Sequence, residues 1–185
     1  MGRVSVVIPA LDEPYLPELL KELGEFHVVV RGDLGLSAAV WNGVQHSSDP
    51  IVVVMDGDGS HPAEAIFDML KLLDDETWLV VGSRYCYGGY SHDALLRVII
   101  SRVYCLIARI VLRTSLRDPM SGFWVGYREA FKLEPNRDYK FGLQLIRRNR
   151  GHIKEFPIVF SKRQMGASHI KPLQAIRDLL AIFRG

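Results

Sequence analysis

The chain has 185 residues, 48% hydrophobic and 24% charged, a balance that suits one globular domain spanning residues 1–185 with a substantial core and argues against disorder or a two-domain enzyme. Its net charge of +2 conceals an asymmetry: residues 1–93 hold 15 acidic and 5 basic side chains, a balance of −10, whereas residues 94–185 hold 6 and 18, a balance of +12. An acidic half of this kind suits metal or sugar handling, and the basic half suits phosphate, nucleic acid or an anionic membrane. Two cysteines, Cys86 and Cys105, without metal-type spacing exclude a disulfide scaffold or zinc module and point to a reducing compartment. The opening MGRVSVVIPA reads as a strand rather than a signal peptide, and no stretch reaches the roughly 18 apolar residues that would cross a bilayer.

In chain order, apolar runs of strand length at Val4 to Ile8, Phe26 to Val30, Ile51 to Met55 and Leu79 to Val81 alternate with helical-period segments at Leu16 to Leu23, Ser37 to Gln45 and Ala63 to Leu73. Such alternation predicts βαβ units and a mostly parallel sheet flanked by helices, a Rossmann-like α/β class. Ligands of such sheets bind beyond the carboxyl ends of the strands. The second half predicts a long arginine-bearing helix at Ala94 to Leu112, a strand at Phe123 to Tyr127, a short helix at Tyr139 to Arg150 and a strand at His152 to Phe160. A Gly- and Ser-containing loop over Ser161 to Ile170 and an amphipathic helix over Leu173 to Phe183 complete it.

The segment IVVVMDGDGSHP sets Asp56 and Asp58 immediately after an apolar strand, with Gly57 and Gly59 allowing a tight turn. Two carboxylates at this spacing can hold one Mg²⁺ or Mn²⁺ and leave coordination positions for a diphosphate. The same residues also suit a solvated turn, because Asp and Gly dominate turns; their place at the end of a strand favours a site. A nucleophilic Asp56 with Asp58 as acid/base, as in haloacid-dehalogenase-type phosphatases, requires further carboxylates on a later strand. The six acids after Asp93 form no such group.

The blocks VSVVIPALDE, GLSAAVWNGV, VVVMDGDGSHP, VGSRY, DPMSGFWV and FPIVF, with the R and GAS that follow, resemble in order the inverting family-two glycosyltransferases of the GT-A fold, nearest the dolichol-phosphate mannose synthases. The resemblance implies sugar transfer from a nucleotide-diphosphate donor, of GDP-mannose or UDP-glucose type, to a polyprenyl or dolichyl phosphate, with Mg²⁺ or Mn²⁺. It places Pro9, Ala10, Glu13, Asp56, Gly57 and Asp58 at the nucleotide sugar and Asp56 and Asp58 on the metal. It also places Gly35, Leu36 and Ser37 at the opening of the second helix. Leu11 and Asp12 replace the family's usual Tyr and Asn, and about one βα unit that usually precedes the Gly-Leu-Ser block is missing. The base-recognising Asp therefore has no direct counterpart, and Asp33 is the positional substitute.

Around the donor and acceptor phosphates the resemblance gathers Arg84, Arg97, Ser101, Arg163 and Ser168, with His169 where the family has Lys and Lys171 as a replacement for it. Asp58, Arg84 and Arg163 are the expected catalytic residues. Arginine forks hold phosphate oxygens bidentately, which suits a cleft where two polyanions meet. Singly, each arginine equally suits a surface ion pair. On the long helix Arg97 and Ser101 share one face, and Arg102, Arg109 and Arg113 share another; the apolar remainder suits either a bilayer surface or packing on a sheet. The expected protein is peripheral to the cytoplasmic face of a membrane. Two alternatives are a non-catalytic GT-A homologue that binds lipid phosphate and a GT-A-like nucleotidyltransferase, although IPALDEP lacks the latter's Gly-rich basic loop. Nucleic acid is disfavoured by the Asp-x-Asp beside the basic half.

Overall fold

A computed structural model describes residues 3–10, 13–24, 26–30, 35–134 and 141–161. Five strands of its central sheet run in one direction: β1 (Val4–Ile8), β2 (His27–Val30), β3 (Ile51–Val54), β4 (Leu79–Ser83) and β7 (Ile153–Pro157). A sixth, β6 (Trp124–Tyr127), runs against them between β3 and β4, giving the order β2-β1-β3-β6-β4-β7. Two short strands, β5 (Tyr90–Ser91) and β8 (Val159–Phe160), pair in parallel as a separate ribbon. The helices are α1 (Leu16–Leu23), α2 (Leu36–His46), α3 (Ala65–Leu70), α4 (Leu95–Leu112) and α5 (Phe141–Arg148).

Strand alternation explains the two cores. On one face Val7, Val52, Val54, Leu79, Val81 and Trp124 pack with α2, α4 and α5, through residues such as Val40, Ala108 and Leu145. On the other, Val6, Ile8, Val53, Val80, Phe123 and Val125 pack with α1 and α3 through Leu19, Leu23, Ile66 and Met69. A sheet buried on both faces requires near-continuous apolar strands, which is what Val52 to Met55 and Leu79 to Val81 supply. This is the α/β class and mostly parallel sheet predicted from the sequence.

The differences are local. The run predicted as one strand over His152 to Phe160 breaks at Ile158, whose N–H bonds to the Ser83 carbonyl at 3.1 Å; beyond it β8 leaves the main sheet to pair with β5. Only β2 lies outside β1 among the described residues, in line with the missing βα unit. The predicted terminal helix over Leu173 to Phe183 and most of the loop before it lie outside the described residues.

Because β6 is reversed, the segment entering it lies at the same sheet edge as the carboxyl ends of β1, β3 and β4. That edge gathers residues 9, 10, 13, 56–61, 84–86 and 118–122.

Candidate active site

The turn after β3 separates its two carboxylates by exposure. Asp56 is half-exposed, with 40% of its side chain accessible. Asp58 is buried, and its Oδ1 accepts the Ser60 N–H at 3.0 Å together with the Ser60 hydroxyl. Gly59 at φ 72° makes the turn that returns the chain to Ser60. Gly57 lets this turn lie against β1: a Cβ there would stand 3.0 Å from Ala10 Cβ, 3.1 Å from Ile8 Cγ2 and 3.6 Å from Glu13 Cβ. Ala10 and Glu13 thus lie beside the carboxylate turn, Ala10 buried and Glu13 partly accessible, and Pro9, which precedes Ala10, is also partly accessible.

Gly122, entering β6, faces the Asp56 carboxylate. A Cβ at this position would come within 3.1 Å of Oδ2 and 3.2 Å of Oδ1, so only glycine leaves the two oxygens a clear approach. The chemistry of the pair, hard carboxylate oxygens with one group accessible, fits Mg²⁺ or Mn²⁺. Among the described residues no group of three His, Cys, Asp or Glu side chains is gathered to hold an ion. A cation held by Asp56 and Asp58 would therefore take further ligands from substrate or water, as Mg²⁺ commonly does.

At the end of β4, Arg84 is clamped by Asp118. Nε donates to Oδ2 at 2.7 Å and Nη2 to Oδ1 at 2.8 Å, and the Arg84 amide also donates to Oδ2 at 3.0 Å. Asp118 is fully buried, and burial alone would raise its pKa, but the Arg84 hydrogen bonds and charge outweigh this and hold the carboxyl below its ordinary value. The Arg84 guanidinium is correspondingly raised: burial opposes its charge, and Asp118 overrides that penalty. With both oxygens engaged and no exposure, Asp118 is placed to orient Arg84 and not to act as a base toward a substrate. Its own loop is fixed from β7, where Glu155 Oε1 accepts the Arg117 and Asp118 amides at 2.8 and 2.9 Å.

The Arg84 guanidinium is flanked by the rings of Tyr85 at 5.0 Å and Phe160 at 5.3 Å. Tyr85 is also faced by Arg102 at 5.0 Å, and its hydroxyl hydrogen-bonds Ser101 of α4. Ser101 therefore reaches the Arg84 group through Tyr85. Arg97, one turn earlier on α4, is exposed and pairs with Asp93 at 3.2 Å. Asp33, Arg163, Ser168 and His169 lie outside the described residues.

Three contributors escape sequence reasoning. His61 sits in the centre of the group, wholly buried; burial lowers its pKa, against the opposing charges of Asp56 and Asp58, so the imidazole is neutral. Gly122 and Phe160 complete the surroundings. The SGF of DPMSGFWV was a usable signal for Gly122, whereas neither His61 nor Phe160 differs in sequence from an ordinary turn or core residue.

The profile of glycosyl transferase family 2 matches residues 6–133, more than half of the chain. The chain belongs to glycosyl transferase family 2. It is 31% identical to a dolichol-phosphate mannosyltransferase of Pyrococcus furiosus over 81% of this chain and 44% of that protein. To a dolichol-phosphate mannosyltransferase of Mycosarcoma maydis it is 34% identical, over 77% of this chain and 51% of that protein. The chain spans about half the length of these relatives. In fold it is similar to glucosyl-3-phosphoglycerate synthase from Mycobacterium tuberculosis, solved in complex with Mn²⁺ and UDP-glucose, with a TM-score of 0.66, 18% identity and coverage of 98% of this chain and 79% of that one. The same synthase solved with Mg²⁺ and UDP gives a TM-score of 0.63 at 17% identity, covering 99% and 79%. The family-two profile covers every described residue of the Asp56 turn, the Arg84–Asp118 clamp and the Gly122 cradle.

Proposed function

We propose that this family-two chain catalyses inverting, metal-dependent transfer of a sugar from a nucleotide-diphosphate donor to a polyprenyl or dolichyl phosphate. The observation that carries the reading is the accessible Asp56 carboxylate, opposite Gly122, at the same sheet edge as the clamped Arg84. The names of the Pyrococcus and Mycosarcoma relatives support the acceptor class. The Mn²⁺- and Mg²⁺-bound structural neighbours support a divalent ion.

Each residue then has a defined task. Asp56 and Asp58 would hold the ion, and the chemistry supplied there would be neutralisation of charge on the diphosphate leaving group. Pro9, Ala10, Glu13 and Gly57 line the donor side, with Asp33 as the substitute for base recognition. Arg84 presents its remaining guanidinium edge to phosphate, pre-oriented by Asp118; Arg97, Ser101, Arg163, Ser168 and His169 complete the acceptor side. A phosphate monoester has a second pKa near about 6, so at neutral pH the acceptor is already an anionic nucleophile. No general base is needed, which agrees with the enclosed state of Asp118.

The acceptor's long apolar tail requires a membrane, and α4 offers a surface for one. Leu95, Leu96 and Ile110 are 75%, 70% and 69% exposed, and Ile99, Ile100, Val103 and Leu106 add to the same apolar surface. No described helix is long and apolar enough to cross a membrane, so α4 would lie along the cytoplasmic surface with its arginines at the headgroups.

The test is a donor screen with GDP- and UDP-sugars, Mn²⁺ or Mg²⁺ and a polyprenyl phosphate in detergent or vesicles. Metal-dependent transfer that is abolished in Asp56→Ala is expected. Full activity in Asp56→Ala overturns the assignment, and failure of every donor to bind favours a non-catalytic lipid-phosphate-binding protein.

A further inference from the structure

Behind the Asp56 turn stands a residue outside both the carboxylate pair and the arginine group. The His61 ring is stacked on Phe123 with centroids 5.1 Å apart and meets Phe160 edge-on at 5.3 Å. Its Nδ1 receives the Asp56 backbone N–H at 3.1 Å. A backbone amide is a donor only, so Nδ1 presents its lone pair, and the single ring proton of the neutral imidazole resides on Nε2. Nδ1 also lies 3.9 Å from Asp56 Oδ2, beyond hydrogen-bond range, and carries no proton to share with it. His61 therefore grips Asp56 through the main chain and leaves the carboxylate unengaged.

The geometry points to His61 as a positioning residue of the cation site, setting the direction in which the chain leaves β3 so that the Asp56 carboxylate is turned toward Gly122. This role rests on the reading of Asp56 and Asp58 as cation ligands. The surroundings make the grip rigid. The Phe160 ring that packs on His61 also lies 5.3 Å from Arg84 Cζ, and the Ser161 amide donates to the Ser60 carbonyl at 3.0 Å. The imidazole thus ties the carboxylate turn to the β8 segment that flanks Arg84. Residues that orient metal ligands from behind commonly change metal affinity about 10–100-fold when replaced. An Asn side chain can place its Oδ1 where Nδ1 stands and keep the acceptor; Phe preserves a planar ring and loses it, leaving the Asp56 amide without a partner.

The experiment compares wild type, His61→Asn and His61→Phe for binding of Mn²⁺ alone by titration calorimetry, with circular dichroism and thermal melting to confirm the fold. Nitrogen-15 NMR of the imidazole and hydrogen exchange of the Asp56 amide are recorded on the wild type. The expected result is an unprotonated Nδ1 and a protected Asp56 amide in the wild type. Mn²⁺ affinity should stay within about threefold in His61→Asn and fall about 10–100-fold in His61→Phe. A proton on Nδ1, Mn²⁺ binding by folded His61→Phe equal to wild type, or equal losses in the Asn and Phe variants overturns this role alone. Wild-type protein that takes up no Mn²⁺ overturns the cation reading and this role with it. If His61→Phe does not fold, the wild-type NMR signature and the Asn variant decide the matter.

Discussion

Arg84 and Asp118, 34 residues apart in sequence, form a two-point ion pair at 2.7 and 2.8 Å in which the carboxylate is wholly buried and the guanidinium nearly so. Removing one partner of such a pair strands the other charge, at a cost of about 3–5 kcal/mol. Asp118→Asn is therefore expected to lower stability by that amount in urea denaturation and to lose most transfer activity. A folded Asp118→Asn variant with unaltered activity would remove Arg84 from the site.

The same pair has a pH signature. Burial alone would raise the Asp118 pKa, but Arg84 brings it below its ordinary value of 3.8. A carboxyl depressed in the folded state stabilises fully above its unfolded pKa, and that contribution is lost as pH falls through the folded value. The stability difference between wild type and Asp118→Asn should stay constant from pH 7 to about 4 and shrink below about 4. Urea midpoints at pH 7, 5, 4 and 3 measure it, and a difference unchanged at pH 3 would contradict the pairing.

Why this clamp was not legible in the sequence follows from topology. The apolar runs before Asp56 and Arg84 announce strands whose ends carry a site, and the placement of Gly57 against Ala10 and Glu13 follows from adjacent parallel strands. The reversed insertion of β6 between β3 and β4 has no local signal, yet it alone brings Asp118 to Arg84 and Gly122 to Asp56. His61 is hidden in the sequence for a related reason. A His before a Pro in a Gly-rich turn reads as solvated, and its burial depends on Phe123 and Phe160 arriving from distant segments. The β5–β8 ribbon is only two residues per strand, too short for periodicity to register.

Gly122 gives a test of the cradle that leaves the core alone. In Gly122→Ala the new methyl would lie 3.1–3.2 Å from the Asp56 carboxylate oxygens, which must shift by a few tenths of an ångström. Mn²⁺ affinity is expected to fall about tenfold, with little change in melting temperature. Unchanged Mn²⁺ binding in titration calorimetry would show that the ion does not use the Asp56 edge facing Gly122.

Cys105 lies against the clamp, with its thiol 3.4 Å from Asp118 Oδ1. Burial, then the Asp118 charge, pushes its pKa up to about 12, so almost no thiolate is available at neutral pH. A colorimetric disulfide reagent at pH 8 should react slowly with half-buried Cys86 and reach Cys105 only in denaturant. Rapid modification of both thiols in native protein would mean that the α4 interface opens readily.

The membrane contact proposed for α4 can be tested apart from folding, because its apolar side chains are exposed. Leu96 and Ile99 are 70% and 50% exposed, so charged replacements there disturb few packed contacts. Immersion of each side chain in a bilayer interface is worth on the order of 1 kcal/mol, part of the 1.5–3 kcal/mol for complete burial. Leu96→Glu with Ile99→Glu is therefore expected to weaken co-sedimentation with anionic vesicles by about tenfold or more while leaving the thermal melt unchanged. Activity toward a short-chain, water-soluble acceptor phosphate should survive in the double variant, and activity toward a long-chain acceptor in vesicles should fall with binding. Equal vesicle binding by wild type and double variant would assign α4 to another partner and leave the Asp56 and Arg84 arguments standing.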